Sequence, residues 1–227
     1  MINVKILTAQ IVGMFVVFAL AMFLSAGTVA WLAGWAYLFL FFGFVFALSV
    51  WLIKYNPDLL TERMTGIGKP DQKAWDKVWY VLMNVYFLAW LVFMPLDAVR
   101  FRWSHVPMGL QVAGAILLLC SFYFFFLVFR ENSYLSPAVR IQSERKQTVI
   151  STGPYKVVRH PMYATAIIYL IGTCLLLGSW YGLLTVLVIV IGMAWRAVQE
   201  ERTLLSELPG YNEYMSKVKY RLIPYIW

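Results

Sequence analysis

The sequence predicts an all-α, polytopic membrane protein with about six transmembrane helices. Of its 227 residues, 62% are hydrophobic and only 13% are charged, whereas soluble domains carry about 25% charged residues. Six apolar stretches of membrane-spanning length follow one another along the chain. A chain of this length holds those helices but no second folded domain, so we expect residues 1–227 to form a single membrane domain.

Predominantly hydrophobic runs justify each predicted span. The runs are Ile6–Leu24, Gly34–Ile53, Val78–Pro95, Met108–Phe129, Pro161–Gly178 and Gly182–Ala197. The first run is longer than the roughly 7–15-residue core of a signal peptide, which predicts a retained helix. Only Ser179-Trp180-Tyr181 joins the last two runs, and so short a connection predicts a tight C-terminal helical hairpin.

A short interfacial helix is predicted after the last span. The segment Glu200–Val218 is polar, but it carries a stripe of apolar side chains at helical spacing. The stripe consists of Leu204, Leu205, Leu208, Tyr211 and Met215. Pro209-Gly210 is expected to break or bend this helix, because proline disfavours helical geometry in the preceding residue. An amphipathic segment beside membrane spans is typical of a helix at the membrane surface.

Basic residues are concentrated on one side of this predicted topology. All 19 Lys and Arg residues except Arg100 and Arg102 fall on the side with both termini and the second and fourth connections. Cytoplasmic loops are enriched in Lys and Arg, which predicts cytoplasmic N- and C-termini and a cytoplasmic interfacial helix. Anionic membrane lipids account for the net charge of +8. No motif indicates nucleic acid binding.

Neither a disulfide nor a metal site is expected. Cys120 and Cys174 each lie inside an apolar run, as buried free cysteines commonly do. No group of Cys and His residues has the spacing of metal ligands. Of the two histidines, His105 falls on the side with few charges and is expected to be an ordinary polar residue. His160 is therefore the histidine that the sequence offers for chemistry.

The long fourth connection, residues 130–160, ends in an unusual density of ionisable and aromatic side chains. Its last part and the start of the next span read Gly153-Pro154-Tyr155-Lys156-Val157-Val158-Arg159-His160-Pro161-Met162-Tyr163. Pro161 suits the first position of a helix, so His160 is predicted at a helix N-terminus, where backbone N–H groups favour anions. Long irregular connections in compact proteins are usually functional.

A second group of polar residues ends the sixth predicted span. It reads Arg196-Ala197-Val198-Gln199-Glu200-Glu201. Arg196 and Glu200 are four residues apart on one helix face, so one interpretation is an internal ion pair. The other interpretation is functional, with Arg196 as a cation for a substrate anion and Glu200 as an anion for a cationic cofactor.

Together these segments resemble the isoprenylcysteine carboxyl methyltransferase family, whose relatives include phospholipid methyltransferases. The resemblance rests on G-x-Y-x-x-x-R-H-P-x-Y at 153–163, R-x-x-x-E-E at 196–201 and Gly210-Tyr211-Asn212-Glu213-Tyr214. It covers about Thr148 to Tyr214 and looks most like the bacterial branch. It implies a multi-pass enzyme of a bacterial inner membrane that uses S-adenosyl-L-methionine. It also implies an N-terminal four-helix part, 1–130, and a cofactor-binding methyltransferase core, 131–227.

The resemblance implies a role for each matching residue. The implied cofactor-binding residues are Gln147, Thr148, Val149, Ile150, Tyr155, His160, Pro161, Met162, Tyr163 and Glu200. The implied catalytic residues are Arg196, Glu200, Glu201 and His160, of which Arg196 would bind the acceptor. A further polar contact upstream falls on Arg140 or Gln142. The implied partners are a small-molecule cofactor from the cytoplasm, a hydrophobic or lipidic acceptor from the bilayer, and membrane lipids.

The sequence is compatible with more than one methyl acceptor and with two other functions. A carboxylate acceptor is ionised at neutral pH and needs no base, whereas an amine or thiol would need His160 or Glu201. One alternative is an NADPH-dependent membrane sterol or steroid reductase, in which the basic fourth connection would bind the nucleotide phosphate. The other is a non-enzymatic transporter or scaffold. Transporters usually carry charges within their spans, where this chain has chiefly Asn84.

Overall fold

The computed structural model describes residues 3–65 and 68–227, and these two ranges contain helices and irregular segments but no strand. The helices are α1 (Val4–Ala26), α2 (Leu32–Tyr55), α3 (Pro57–Thr65), α4 (Ala74–Pro95), α5 (Met108–Glu131), α6 (Pro161–Leu177), α7 (Trp180–Glu207) and α8 (Tyr211–Lys217). A π-helical turn, Leu96–Arg100, follows α4, and single 3-10 turns lie at Ser143–Arg145 and Gly153–Lys156. The predicted fold class is confirmed.

The predicted spans appear as five long apolar helices and one shorter helix. Helices α1, α2, α4, α5 and α7 are long and apolar enough to cross a membrane. Helix α6 has 17 residues, which is at the lower limit of about 17–25 residues for a spanning helix. It is packed between α5 and α7 and also contacts α2. Helix α6 is therefore the central element of this part of the bundle.

The turn of the C-terminal hairpin is tighter than the sequence indicated. Gly178 ends α6 in the left-handed conformation (φ +84°), and the Ser179 side chain caps α7 by accepting from the Gly182 N–H. The Ser179 hydroxyl also donates to the buried carboxylate of Asp97 at 2.5 Å. Trp180 is consequently the first residue of α7, and the expectation that it belongs to the loop was wrong.

The second arm of the hairpin is longer than predicted. Helix α7 continues past Ala197 to Glu207, because residues 199–207 are rich in Glu, Gln, Arg and Leu, which favour helix even where they are polar. The predicted break at Pro209-Gly210 is confirmed, with Gly210 at φ +84°. The expected interfacial helix is therefore divided between the end of α7 and the short α8. Glu200 and Glu201 lie within α7.

A short helix that the sequence did not predict, α3, packs at the same end of the bundle as the long connection between α5 and α6. Asn56 caps it by accepting from the Leu59 N–H (3.3 Å), and Leu59 is fully buried. Arg63 Nη1 donates to the Leu135 carbonyl of the long connection at 3.3 Å. Helix α3 thereby fixes one side of the connection that carries the predicted site.

Candidate active site

A cavity of about 560 Å³ lies at this end of the bundle and reaches between the membrane-spanning helices. Its wall is formed by residues of α2, α3, α4, α5, α6, α7, α8 and the long connection. Residues from 1–130 contribute as well as residues from 131–227, so both predicted parts of the domain build the cavity. Polar and charged side chains occupy the end near the connection, and aromatic side chains line the part inside the bundle.

His160 lies in the cavity wall, directly before the first residue of α6, as the sequence predicted. Its backbone N–H donates to the Arg221 carbonyl at 2.9 Å, which joins the start of α6 to the C-terminal segment. The imidazole lies between two carboxylates. Its Nε2 is 3.2 Å from Glu201 Oε1, and its Nδ1 is 3.8 Å from Glu200 Oε2. The hydrogen bond with Glu201 orients the ring, and the Glu200 carboxylate lies on its other side.

Glu200 presents a carboxylate to the cavity that is not neutralised by Arg or Lys. No Arg or Lys nitrogen of residues 3–65 or 68–227 lies within 4.0 Å of it, so the intrahelical ion pair with Arg196 is not formed. Tyr163 Oη donates to Glu200 Oε2 at 2.7 Å, and the Tyr163 ring stacks on His160 with centroids 5.5 Å apart. A carboxylate that is fixed in this way, with no Arg or Lys partner among the described residues, favours a cationic ligand.

Glu201 belongs to a buried ion cluster and is not part of the cavity wall. Its two oxygens accept from Arg159 Nε at 2.6 Å and from Arg221 Nε at 2.7 Å. Arg159 Nη1 also donates to the carbonyls of Val218 and Lys219, both at 2.7 Å. Glu201 thus connects α7, the start of α6 and the C-terminal segment. Its contacts are those of a residue that holds the site together.

Arg196 lines the cavity from α7 and is held on three sides. Its Nε donates to Asp76 Oδ1 at 2.9 Å, and its Nη2 donates to the Pro137 carbonyl at 2.7 Å. The guanidinium carbon lies 4.4 Å from the centroid of the Trp79 ring. In the described ranges, Nη1 makes no hydrogen bond. Arg196 is consequently fixed in orientation with one nitrogen left for a ligand.

The residues predicted to bind the cofactor are, with one exception, brought together in this cavity. Those in its wall are Gln147, Thr148, Val149, Ile150, Tyr155, His160, Met162, Tyr163 and Glu200. Pro161 is not in the wall. Tyr155 Oη accepts a hydrogen bond from Asn132 Nδ2 at 2.7 Å. Burial raises the pKa of the Tyr155 hydroxyl, which therefore stays protonated at neutral pH.

The two residues considered for a further polar contact have their side chains engaged elsewhere. Arg140 lines the cavity, but its guanidinium donates to Glu62, Asp71 and Glu144. Burial would raise the pKa of Glu62, but its hydrogen bonds, chiefly from Arg140, lower that pKa from 4.5 to about 2. Gln142 is only 1% exposed and does not line the cavity. The Arg140 cluster thus ties the long connection to α3.

Asp76, which the sequence reasoning did not identify, orients Arg196. Its side chain is fully buried. Beyond the contact with Arg196, its Oδ2 accepts from Gln72 Nε2 and from the Val139 N–H, both at 2.8 Å. In the sequence, Asp76 is a single acidic residue just before an apolar run, where a solvated helix terminus is the ordinary interpretation. The aromatic wall contributed by α2 and α4 was also not predicted.

The comparison with known protein families agrees with the motifs. A sequence model described as phospholipid methyltransferase matches residues 110–210, a range that contains His160, Arg196 and Glu200. There is no match among curated proteins. The resemblance indicated by the sequence motifs is thereby confirmed, and residues 110–210 relate this membrane protein to the phospholipid methyltransferases.

Proposed function

We propose that the protein is an S-adenosyl-L-methionine-dependent methyltransferase that acts on a hydrophobic or lipidic acceptor at the cytoplasmic leaflet. The observation that carries this proposal is the Glu200 carboxylate, which faces the cavity with no Arg or Lys partner among the residues that the structure describes. A sulfonium donor with an amino group supplies positive charge for it. The match to phospholipid methyltransferases supports methyl transfer as the reaction.

The side chains around Glu200 fit such a donor. Bound S-adenosyl-L-methionine supplies an activated methyl group on a sulfonium, so the work of the protein is positioning and electrostatic stabilisation. The hydrogen bond from Tyr163 holds the Glu200 carboxylate in place. His160, fixed between Glu200 and Glu201, closes the same end of the cavity. These residues bind and orient, and they exchange no proton with the donor.

The apolar part of the cavity fits the hydrophobic portion of the acceptor. Its wall contains Phe41, Phe44, Phe87, Phe122, Phe125 and Tyr169, contributed by α2, α4, α5 and α6. Asn84 both lines the cavity and is exposed on α4, so the cavity reaches the surface of the bundle at this helix. Arg196 Nη1 would bind the polar group of the acceptor. We therefore propose that the acceptor is supplied by the bilayer.

The chemical class of the acceptor determines whether a base is needed. A carboxylate, as in an isoprenylcysteine-like acceptor, is ionised at neutral pH and needs only orientation by Arg196. An amine or thiol must lose a proton. Of the two bases considered from the sequence, His160 lines the cavity and Glu201 does not. We propose the carboxylate, because Arg196 has a nitrogen available for it.

The concentration of Lys and Arg at the cavity end supports a cytoplasmic orientation for it, where the methyl donor is dissolved. A reporter that is active only in the cytoplasm, fused to the C-terminus, is expected to be active. The orientation would be overturned if the reporter is inactive at the C-terminus but active when it is inserted within residues 101–107, between α4 and α5.

Binding of the donor is tested by calorimetric titration of the purified protein in detergent with S-adenosylhomocysteine and, separately, NADPH. We expect a heat of binding with S-adenosylhomocysteine and none with NADPH. A heat of binding with NADPH alone would indicate a reductase. Removing the charge of Glu200 by Glu200→Gln should weaken the affinity by about 10–100-fold, the equivalent of about 1.4–2.8 kcal/mol. Glu207→Gln, the same change at an exposed position of α7, should leave it unchanged.

Transfer is tested with labelled S-adenosyl-L-methionine and a membrane lipid extract, followed by identification of the labelled product. Arg196→Ala should raise the KM for the acceptor far more than it weakens donor binding. Because this change also removes a counterion from Asp76, Arg196→Lys serves as a second variant that keeps the charge but not the planar fork. Weakened donor binding with an unchanged acceptor KM would overturn the role of Arg196.

A further inference from the structure

Three tyrosines meet at the end of the cavity beside α8, and the hydroxyl of one of them has no hydrogen-bond partner in the part of the chain that the structure describes. Tyr155, Tyr211 and Tyr214 are buried in one apolar cluster together with Leu208. Tyr155 Oη accepts from Asn132 Nδ2 at 2.7 Å, and Tyr214 Oη donates to the Tyr155 carbonyl at 2.8 Å. Tyr211, which is only 4% exposed, has a hydroxyl that is unpaired in the described ranges.

A buried hydroxyl without a partner requires an explanation, because its desolvation is uncompensated and most such groups are hydrogen-bonded. In residues 3–65 and 68–227, the other buried side-chain atom of this kind is Asp97 Oδ1, and Asp97 is not in the cavity wall. Tyr211 is in the wall. A ligand in the cavity would supply the missing partner for its hydroxyl.

The backbone places Tyr211 at the start of α8, and its surroundings keep its hydroxyl protonated. Gly210 adopts a left-handed conformation (φ +84°) after Pro209, and α8 begins at Tyr211. Burial raises the pKa of the Tyr211 hydroxyl, and the negative charges of Glu201 and Glu200 raise it further. The hydroxyl is therefore protonated at neutral pH and available as a donor.

We propose that the Tyr211 hydroxyl donates a hydrogen bond to the nucleoside half of the methyl donor, an inference that rests on the proposed function. Tyr211 lies in an apolar part of the wall, which suits the nucleoside half of such a donor rather than its charged amino-acid half. Tyr155 and Tyr214 belong to the same apolar cluster as Tyr211, and the apolar side chains of Val149 and Leu204 pack against that cluster, which suits the flat face of a purine. Glu200 provides charge for the cationic, amino-acid half. Tyr211 is thus a specificity-determining residue that contacts the nucleoside.

The test compares Tyr211→Phe with the matched variant Tyr214→Phe by thermal unfolding and by titration with S-adenosylhomocysteine. Tyr211→Phe should leave the ligand-free Tm unchanged or raise it, because it removes an unpaired hydroxyl, and should weaken binding about tenfold. Tyr214→Phe loses an existing hydrogen bond, so it should lower the ligand-free Tm and weaken binding less. Equal affinity of Tyr211→Phe and wild type would overturn the inference.

A second titration identifies the half of the donor that Tyr211 contacts. The probe is 5′-methylthioadenosine, which has the nucleoside but lacks the amino acid. Tyr211→Phe should weaken the binding of this probe by the same factor as the binding of S-adenosylhomocysteine. Glu200→Gln should leave the affinity for this probe unchanged. Loss of the Tyr211 effect with this probe would overturn the nucleoside assignment. A wild-type protein that binds neither probe would instead overturn the proposed function and, with it, the inference.

Discussion

The role of Asp76 gives the sharpest test of how the site is held together. Asp76 accepts three hydrogen bonds, from Arg196 Nε, Gln72 Nε2 and the Val139 N–H, at 2.8–2.9 Å. Asparagine has the same shape, but one of its two terminal atoms is a donor. In the Asp76→Asn variant, that amide must therefore face either the guanidinium of Arg196 or the donors of Gln72 and Val139.

The expected cost of Asp76→Asn follows from this geometry. Removing one partner of a buried ion pair costs about 3–5 kcal/mol, because the other charge is left buried without a counterion. The amide oxygen of asparagine retains contacts on one side, so we expect about 3 kcal/mol, a factor of about 100 in the folding equilibrium. For a chain of this length, that corresponds to a decrease in Tm of about 10 °C.

The measurement is thermal unfolding of the purified variant in detergent, with Asp58→Asn, the same change at an exposed site of α3, as the control. Transfer assays on Asp76→Asn should also show a raised acceptor KM, because Arg196 is no longer oriented, with donor affinity largely kept. If Asp76→Asn is as stable as Asp58→Asn and has the acceptor KM of the wild type, Asp76 does not orient Arg196.

Two further predictions concern the framework around the site. The pKa of Glu62 is lowered from 4.5 to about 2 in the folded protein, so its contribution to stability is complete above pH 4.5 and is lost as the pH falls towards about 2. The Tm difference between wild type and Glu62→Gln should therefore be smaller at about pH 3 than at about pH 6, and a constant difference would contradict this role for the carboxylate. In the second prediction, a Cβ at Gly114 on α5 would overlap the backbone N of Leu176 on α6, so Gly114→Ala should destabilise the protein by about 1–3 kcal/mol. Gly109→Ala, on the same helix in open space, should be neutral or stabilising in the same unfolding assay, and equal effects of the two changes would refute the close packing of α5 on α6.

Much of the fold could be predicted from local properties of the sequence. The helices coincide with the hydrophobic runs, and the break at Pro209-Gly210 follows from backbone chemistry. The boundaries at Trp180 and Glu207 were missed because hydrophobicity marks the lipid-embedded part of a helix, whereas helical hydrogen bonding continues through polar residues. Helix α3 was missed because it is short and has few apolar residues, of which two leucines are buried.

The candidate site could likewise be predicted only in part from the sequence. Local sequence drew attention to His160, Arg196 and Glu200, because unusual polar residues beside apolar runs are recognisable without a structure, and the family resemblance gave these candidates their proposed roles. The chain order could not indicate that Arg196 would meet Asp76, 120 residues earlier. Nor could it indicate that, among the described residues, Glu201 would pair with Arg159 and Arg221 while its neighbour Glu200 has no Arg or Lys partner. These contacts depend on which helix faces pack together, because adjacent residues of one helix, such as Glu200 and Glu201, point in directions about 100° apart.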